Sequence, residues 1–158
     1  MATEIERKFL VSGDPWKNSP GTHVRQGYLA TGDAATVRVR VADHHAFLTI
    51  KGRRSGMTRA EYEYQIPLSD ANEMLDTLCM GAVIEKHRHV VHEGGLVWEI
   101  DRFTGANDGL VLAEVELRSE QQAFDPPPWL GREVTDDERF YNANLAREPY
   151  SAWKQAAR

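Results

Sequence analysis

Eight carboxylates (Glu4, Glu6, Glu61, Glu63, Glu99, Asp101, Glu114 and Glu116) and six cations (Lys8, Arg38, Arg40, Lys51, Lys86 and Arg88) recur at two-residue spacing along this chain. Carboxylate oxygens are the hard ligands that Mg²⁺ or Mn²⁺ takes, and guanidinium and ammonium groups grip phosphate oxygens. Like charges set side by side on several strands are destabilising unless something bridges them. A polyanion accompanied by divalent cations satisfies both sets at once.

Two-residue spacing is the period of a strand, so each charged pair shares one face and Val, Ile, Leu, Phe or Trp takes the other. Strands are expected near 3–11, 23–31, 35–42, 45–52, 59–67, 83–92, 95–103 and 111–118. Turn residues separate them, including Thr31-Gly32-Asp33, Asp43-His44-His45 and Glu93-Gly94-Gly95. Links this short favour antiparallel neighbours. The expected fold is α+β and β-dominated: a closed eight-stranded antiparallel β-barrel, helices packed outside, and a C-terminal helical tail. A barrel of about eight strands has an interior just wide enough for side chains or one small ligand. The pattern leaves two arrangements open. Either the charged faces meet bulk water, or apolar faces are covered from outside and the charges line a lumen.

Ser69 is a candidate N-cap, with Ala71, Met74, Leu75, Leu78 and Cys79 as the apolar stripe of the helix that follows. Ser119 to Phe124 is expected as a short helix and Pro126-Pro127-Pro128-Trp129 as a stiff connector. Helices are expected near 136–146 and 149–157, with the tail either capping one end of the barrel or bracing its outside.

With 158 residues, 41% hydrophobic and 27% charged, the chain is expected to be one soluble globular domain over 1–158. A net charge of −5 argues against unspecific nucleic-acid binding. A single cysteine, Cys79, rules out an intrachain disulfide and suits a reducing compartment. No apolar run is long enough for a membrane span, and Met1-Ala2-Thr3-Glu4 is too acidic and short for a secretion signal, so a cytoplasmic location is expected. His87 and His89 fall opposite Lys86 and Arg88 in phase and are expected outside the lumen. Trp98 is expected beneath an outer helix, and Trp129 and Trp153 as docking aromatics. Tyr28 either touches the lumen or packs in the sheet. Arg53-Arg54 reads as a solvated loop that could draw anions to a mouth.

Glu4-Ile5-Glu6-Arg7-Lys8-Phe9-Leu10-Val11 resembles the ExExK signature of the CYTH superfamily, the triphosphate tunnel metalloenzymes. The resemblance continues in order through Val37-Arg38-Val39-Arg40, Leu48-Thr49-Ile50-Lys51, Arg59-Ala60-Glu61-Tyr62-Glu63, Ile84-Glu85-Lys86-His87-Arg88, Trp98-Glu99-Ile100-Asp101 and Ala113-Glu114-Val115-Glu116. It implies an eight-stranded tunnel that binds a triphosphate with Mg²⁺ or Mn²⁺. It places Glu4, Glu6, Glu114 and Glu116 at the metal, with Asp101 holding metal-bound water. Lys8, Arg38, Arg40, Lys51, Lys86 and Arg88 grip the phosphates, and Glu61, Glu63 and Glu99 are further tunnel acids. Lys86 and Lys8 are the catalytic candidates, Lys86 as general base or water-orienting group. Short bacterial members carry a lysine after Arg-Tyr in the C-terminal segment, where this chain reads Arg139-Phe140-Tyr141-Asn142; Arg139 is then the substrate-binding cation there.

The expected activity is metal-dependent hydrolysis of inorganic triphosphate, a small-molecule substrate, with no nucleic-acid or membrane partner. The sequence is compatible with a homodimer. Thiamine triphosphatase, nucleoside triphosphatase, class IV adenylate cyclase and a non-catalytic polyphosphate-binding module are the alternatives.

Overall fold

The structure, a computed structural model, describes residues 3–156. Its strands are β1 (Thr3–Val11), β2 (Gly21–Thr31), β3 (Ala35–Ala42), β4 (His45–Gly52), β5 (Thr58–Ile66), β6 (Met80–Glu93), β7 (Leu96–Phe103), β8 (Val111–Glu116) and β9 (Leu130–Glu133). Three α-helices accompany them: α1 (Leu68–Thr77), α2 (Asn142–Arg147) and α3 (Tyr150–Ala156). Antiparallel pairing runs in the order β5-β4-β3-β2-β6-β7-β8-β1, and Thr3↔Ala60, Glu4↔Arg59 and Ile5↔Thr58 join β1 back to β5. The barrel is therefore closed. All the expected strands are present, although β6 starts at Met80 rather than 83 and β8 stops at Glu116 rather than 118.

β9 was not expected. It pairs with β1 at Phe9↔Glu133 and Val11↔Leu130, on the stretch of edge that β5 leaves open. A bidentate contact from Arg7 to Glu133, at 2.9 and 2.6 Å, clamps it there.

Register decides which way the charges face. Glu6 stands opposite Glu116 and Lys8 opposite Glu114, Lys51 opposite Glu61, Arg88 opposite Asp101, and Glu99 opposite Glu114. The alternate residues pack outward into two covered layers. Ala71 and Leu75 of α1 seal Val39, Val41 and Ala46. Over Phe9, Trp98 and Val115 lies the loop segment carrying Phe124 and Trp129, with Trp129 edge-on to Trp98 at 5.3 Å. Trp98 thus lies beneath a loop and not beneath a helix. His87 and His89 point away from the lumen; His89 is buried outside it, its Nδ1 3.0 Å from the Ser19 carbonyl.

A third cluster closes one end of the barrel. Leu10, Ile84, Phe103 and Leu112 continue the inward phase of Lys8, Lys86, Asp101 and Glu114, and Phe140, Leu145 and Ala146 of the tail fill the space between them. A helix as short as α2 has no independent stability, so burial of Leu145 and Ala146 holds it in place. Gly81, at φ +72, permits that approach: a Cβ there would lie 2.7 Å from the Ala146 carbonyl oxygen.

Local details differ from expectation for physical reasons. α1 starts directly after Pro67, whose fixed φ of −60 sets the helix entry, so Ser69 lies inside the first turn and caps nothing. Leu78 and Cys79 fall beyond α1, and Leu78 is exposed. Residues 119–124 form a bend and a turn followed by irregular chain, not a helix. The 136–146 span resolves into a 3₁₀ turn at Glu138–Phe140 followed by α2, while residue 157 of the last expected helix lies outside the described residues. Among the described residues no helix is long and apolar enough to cross a membrane.

Candidate active site

The lumen encloses a cavity of about 610 Å³, and every predicted site residue lines it except Asp101 and Arg139. Strand alternation delivers the cations from β1, β3, β4 and β6, and the acids from β1, β5, β7 and β8. Most cations meet a carboxylate across the sheet. Lys8 reaches Glu114 at 3.3 Å; Lys51 bridges Glu4 at 3.0 Å and Glu61 at 3.4 Å; Arg38 approaches Glu63 at 3.6 Å; Arg88 reaches Glu99 at 3.2 Å.

Asp101 points inward but is covered by Lys86 and Arg88, its side chain 1% exposed, accepting from Lys86 Nζ at 2.7 Å and from Arg88 Nε and Nη2 at 2.7 and 2.9 Å. Burial alone would raise its pKa, but Arg88 and Lys86 hold it well below the usual carboxylate range. With both oxygens engaged by cations, it orients Lys86 and Arg88 and does not line the cavity, unlike the other acids expected at the metal. Arg139 is also elsewhere. It turns outward to Asp137, 2.7 Å away, and its guanidinium lies over Phe140 and Trp153 at 5.5 and 5.3 Å. The mutual fit of Asp137 with a guanidinium two residues on keeps it out of the tunnel.

Burial, reinforced by Arg88 and Arg40, pushes the Lys86 amine down to about 7 even though Asp101 pulls the other way. This is the range a general base needs near neutral pH. Arg88 stays firmly charged because Asp101 and Glu99 outweigh its burial. Lys8 stays charged against burial through Glu114 and Glu6.

The acids crowd one another. Burial and then the charges of Glu114 and Glu4 raise Glu6 well above the ordinary range, and Glu116 rises through partial burial and the charges of Glu4 and Glu61. Among the described residues no three such side chains converge as a ready-made metal site, because Lys51 holds Glu4 and Lys8 holds Glu114. The donor chemistry nevertheless fits a hard divalent cation: four carboxylates of β1 and β8 line the cavity, Glu6 standing opposite Glu116, and burial together with neighbouring carboxylates pushes those two toward protonation.

Several lining groups were missed or left open from sequence. Tyr28 does both things considered for it, lining the cavity and packing in the plug cluster. Tyr141, standing where a lysine was expected, stacks beneath Lys8 at 5.8 Å and Arg54 at 5.1 Å and donates to the Thr135 carbonyl at 3.0 Å. Asn142 follows it, at the start of α2. Arg54 and Arg59 also line the cavity, and the Nε groups of Arg38, Arg54 and Arg59 are buried without a hydrogen-bond partner. Among the described residues, Arg40, Arg54 and Arg59 have no carboxylate in ion-pair contact. Buried donors in that state mark where anionic oxygens fit. In the sequence, Arg38 and Arg40 were expected to grip phosphate and Arg53-Arg54 to draw anions to a mouth, whereas Arg59 was not singled out.

A closed barrel with cations and acids facing one another across its lumen defines a tunnel protein built to surround a polyanion. The chain belongs to the CYTH domain family, whose model matches residues 2–143. It is 48% identical over 156 residues to an inorganic triphosphatase of Acetivibrio thermocellus, covering 98% of this chain and 100% of that one. It is 43% identical over 148 residues to an inorganic triphosphatase of Nitrosomonas europaea, covering 91% and 97%. The crystal structure of an inorganic triphosphatase superposes with a TM-score of 0.67 at 42% identity, covering 92% of this chain and 95% of that chain.

Proposed function

We propose that this protein hydrolyses inorganic triphosphate to pyrophosphate and phosphate within the tunnel, with Mg²⁺ or Mn²⁺ bound beside the substrate. The observation that carries this reading is the set of cavity-lining guanidiniums, Arg40, Arg54 and Arg59, that have no carboxylate in ion-pair contact among the described residues, while Lys8, Arg38, Lys51, Lys86 and Arg88 each have one. A linear phosphate chain supplies the missing negative charge and little else, which matches a lumen lined mainly by charged side chains.

Phosphoryl transfer is catalysed by positioning and by charge stabilisation. Arg38, Arg40, Arg54 and Arg88 hold the chain along the barrel axis and offset the charge that develops on the leaving oxygen. A water oxygen attacks a terminal phosphorus, the bridging P–O bond breaks, pyrophosphate departs, and the water proton passes to Lys86 Nζ. Lys8, paired with Glu114, neutralises the attacked phosphoryl group. Glu4, Glu6, Glu114 and Glu116 would hold the divalent ion, which supplies further charge neutralisation. Asp101 fixes Lys86 and Arg88 from behind.

Phosphate release from inorganic triphosphate, thiamine triphosphate and ATP, each with Mg²⁺, Mn²⁺ or chelator, tests the proposal. The expected result is rapid release from inorganic triphosphate that chelator abolishes. Equal or faster release from either organic substrate would reassign the substrate. No release from any of them, with triphosphate still raising the melting temperature, would leave a binding module.

A further inference from the structure

A buried polar chain links two tunnel cations to the plug. Arg40 Nε donates to Gln26 Oε1 at 2.9 Å, Gln26 Nε2 donates to Asn142 Oδ1 at 2.8 Å, and Lys86 Nζ donates to the same Oδ1 at 3.1 Å. Gln26 is 0% exposed. The amide orientations follow from chemistry. A guanidinium can only donate, so it must face the glutamine oxygen; that leaves the glutamine NH₂ to face Asn142, which must answer with its oxygen. Lys86 Nζ lies 3.1 Å from the same oxygen and donates to it. No other arrangement satisfies all four groups.

This network defines how Lys86 points. A neutral amine carries two N–H bonds, and two acceptors are in place, Asp101 Oδ2 at 2.7 Å and Asn142 Oδ1 at 3.1 Å. With both occupied, the remaining direction on nitrogen is the lone pair, aimed into the cavity that Lys86 lines. Asp101 alone would leave the amine free to rotate about one hydrogen bond. The second anchor arrives from the other end of the chain, because Asn142 opens α2 and α2 is seated by Leu145 and Ala146 against Ile84, Phe103 and Leu112.

We propose that Asn142 is a positioning residue: its Oδ1, delivered by the plug, fixes Lys86 Nζ and, through Gln26, the Arg40 guanidinium in the geometry that turnover needs. The proposal rests on the reading of Lys86 as the base. It makes the tail part of the catalytic machinery, acting through Lys86 and not by contact with the reacting phosphorus.

The experiment compares Asn142→Ala, Asn142→Leu and Asn142→Asp with Lys86→Ala, measuring kcat and KM for inorganic triphosphate alongside melting temperature. Misplacing a reacting group by about 1 Å costs on the order of 100-fold in rate, so Asn142→Ala and Asn142→Leu should both lose about 10- to 100-fold in kcat while KM moves far less. Leucine refills the volume without offering an acceptor, so a packing role predicts recovery in that variant and an acceptor role predicts none. Asn142→Asp keeps an acceptor for both partners; because its carboxylate also stabilises the Lys86 ammonium, kcat values are compared on the alkaline plateau of the pH profile, where that of Asn142→Asp should exceed that of Asn142→Leu, while the added negative charge raises KM for the anionic substrate. Wild-type kcat in Asn142→Leu, or an Asn142→Asp variant no faster than Asn142→Leu, overturns the inference. Should one uncharged variant fail to fold, the other decides against Asn142→Asp; should both fail, the kcat of Asn142→Asp decides, expected within about tenfold of wild type and overturning the inference if the loss is deeper. If Lys86→Ala keeps its turnover number, the base assignment itself is wrong.

Discussion

At the scale of single residues, the site is a problem in charge compensation. Lys86 is held near neutrality by burial and by the guanidiniums of Arg88 and Arg40, yet it rests on a carboxylate that stays ionised because Arg88 also grips it from the side. The sign of the pH dependence follows. Below about 7 the free amine takes up a proton and can no longer accept one from water, so kcat/KM for inorganic triphosphate should fall on the acidic side of an inflection near that value. Lys86→Arg should show turnover reduced about 100-fold or more without that inflection, since a guanidinium stays protonated throughout. A pH–rate profile of both proteins checks this, and an unchanged acidic limb in the arginine variant would remove Lys86 from the proton path. Most of the acids and cations were legible in the sequence because strand alternation broadcasts them. What alternation cannot carry is a group from a loop or the tail, and for that reason Tyr141 and Asn142 were missed and Arg54 read only as a loop charge; Arg59, in phase with Glu61 and Glu63 on β5, was within its reach and overlooked. Asp101 illustrates a second limit: its phase was right, but the number of cations that would close over it depends on depth in the wall.

At the scale of elements, strands were easier to read than their coverings. The period of two survives in any sequence that buries one face, whereas β9 is too short to show a period and lies just after a proline run that reads as a connector. The Ser69 cap was a sound local signal overruled by Pro67, which sets the helix start by its own ring. The plug could be anticipated as helical but not placed, because its partners are inward-phased apolar residues that look like ordinary core. Its attachment is open to test. Leu145 is fully buried among Ile84, Phe103 and Leu112, and Leu145→Ala should cost about 2–5 kcal/mol, as large-to-small core changes do. Because α2 is short and seated mainly by this cluster, hydrogen exchange should accelerate over 142–147 while β2, β3 and β6 keep their protection. Uniform acceleration across the barrel would instead make the plug inseparable from the barrel's own stability.

At the scale of the whole molecule, a chain of net charge −5 is proposed to bind a highly charged anion, so attraction must be local. The cavity-lining Arg53, Arg54 and Arg59 supply such a local field, and clefts lined by one sign of charge focus it. Association should therefore weaken with salt. kcat/KM for inorganic triphosphate is expected to drop steeply between low and physiological ionic strength, and an Arg54→Ala, Arg59→Ala double variant should show a shallower slope and a raised KM. A double variant with the wild-type slope would place the steering elsewhere. The closed architecture itself was readable from the number of alternating segments and the shortness of their links, since a sheet of that size with one charged face has few ways to remove its edges.

The pairing of β1 with β5, β8 and β9 has a consequence for biosynthesis. The Lys8 amide finds its partner, the Thr135 hydroxyl, 127 positions away. A ribosome therefore extrudes the first strand well before its partners: β5 can meet only Thr3 to Ile5, and for most of translation Phe9 and Val11 must remain soluble without β8 and β9. The alternating charges Glu4, Glu6 and Lys8 then act as gatekeepers that discourage premature strand addition between nascent chains. The ring can snap shut only when nearly the last strand has emerged, so closure should be the slow, concerted step of folding, as it is for topologies dominated by distant contacts.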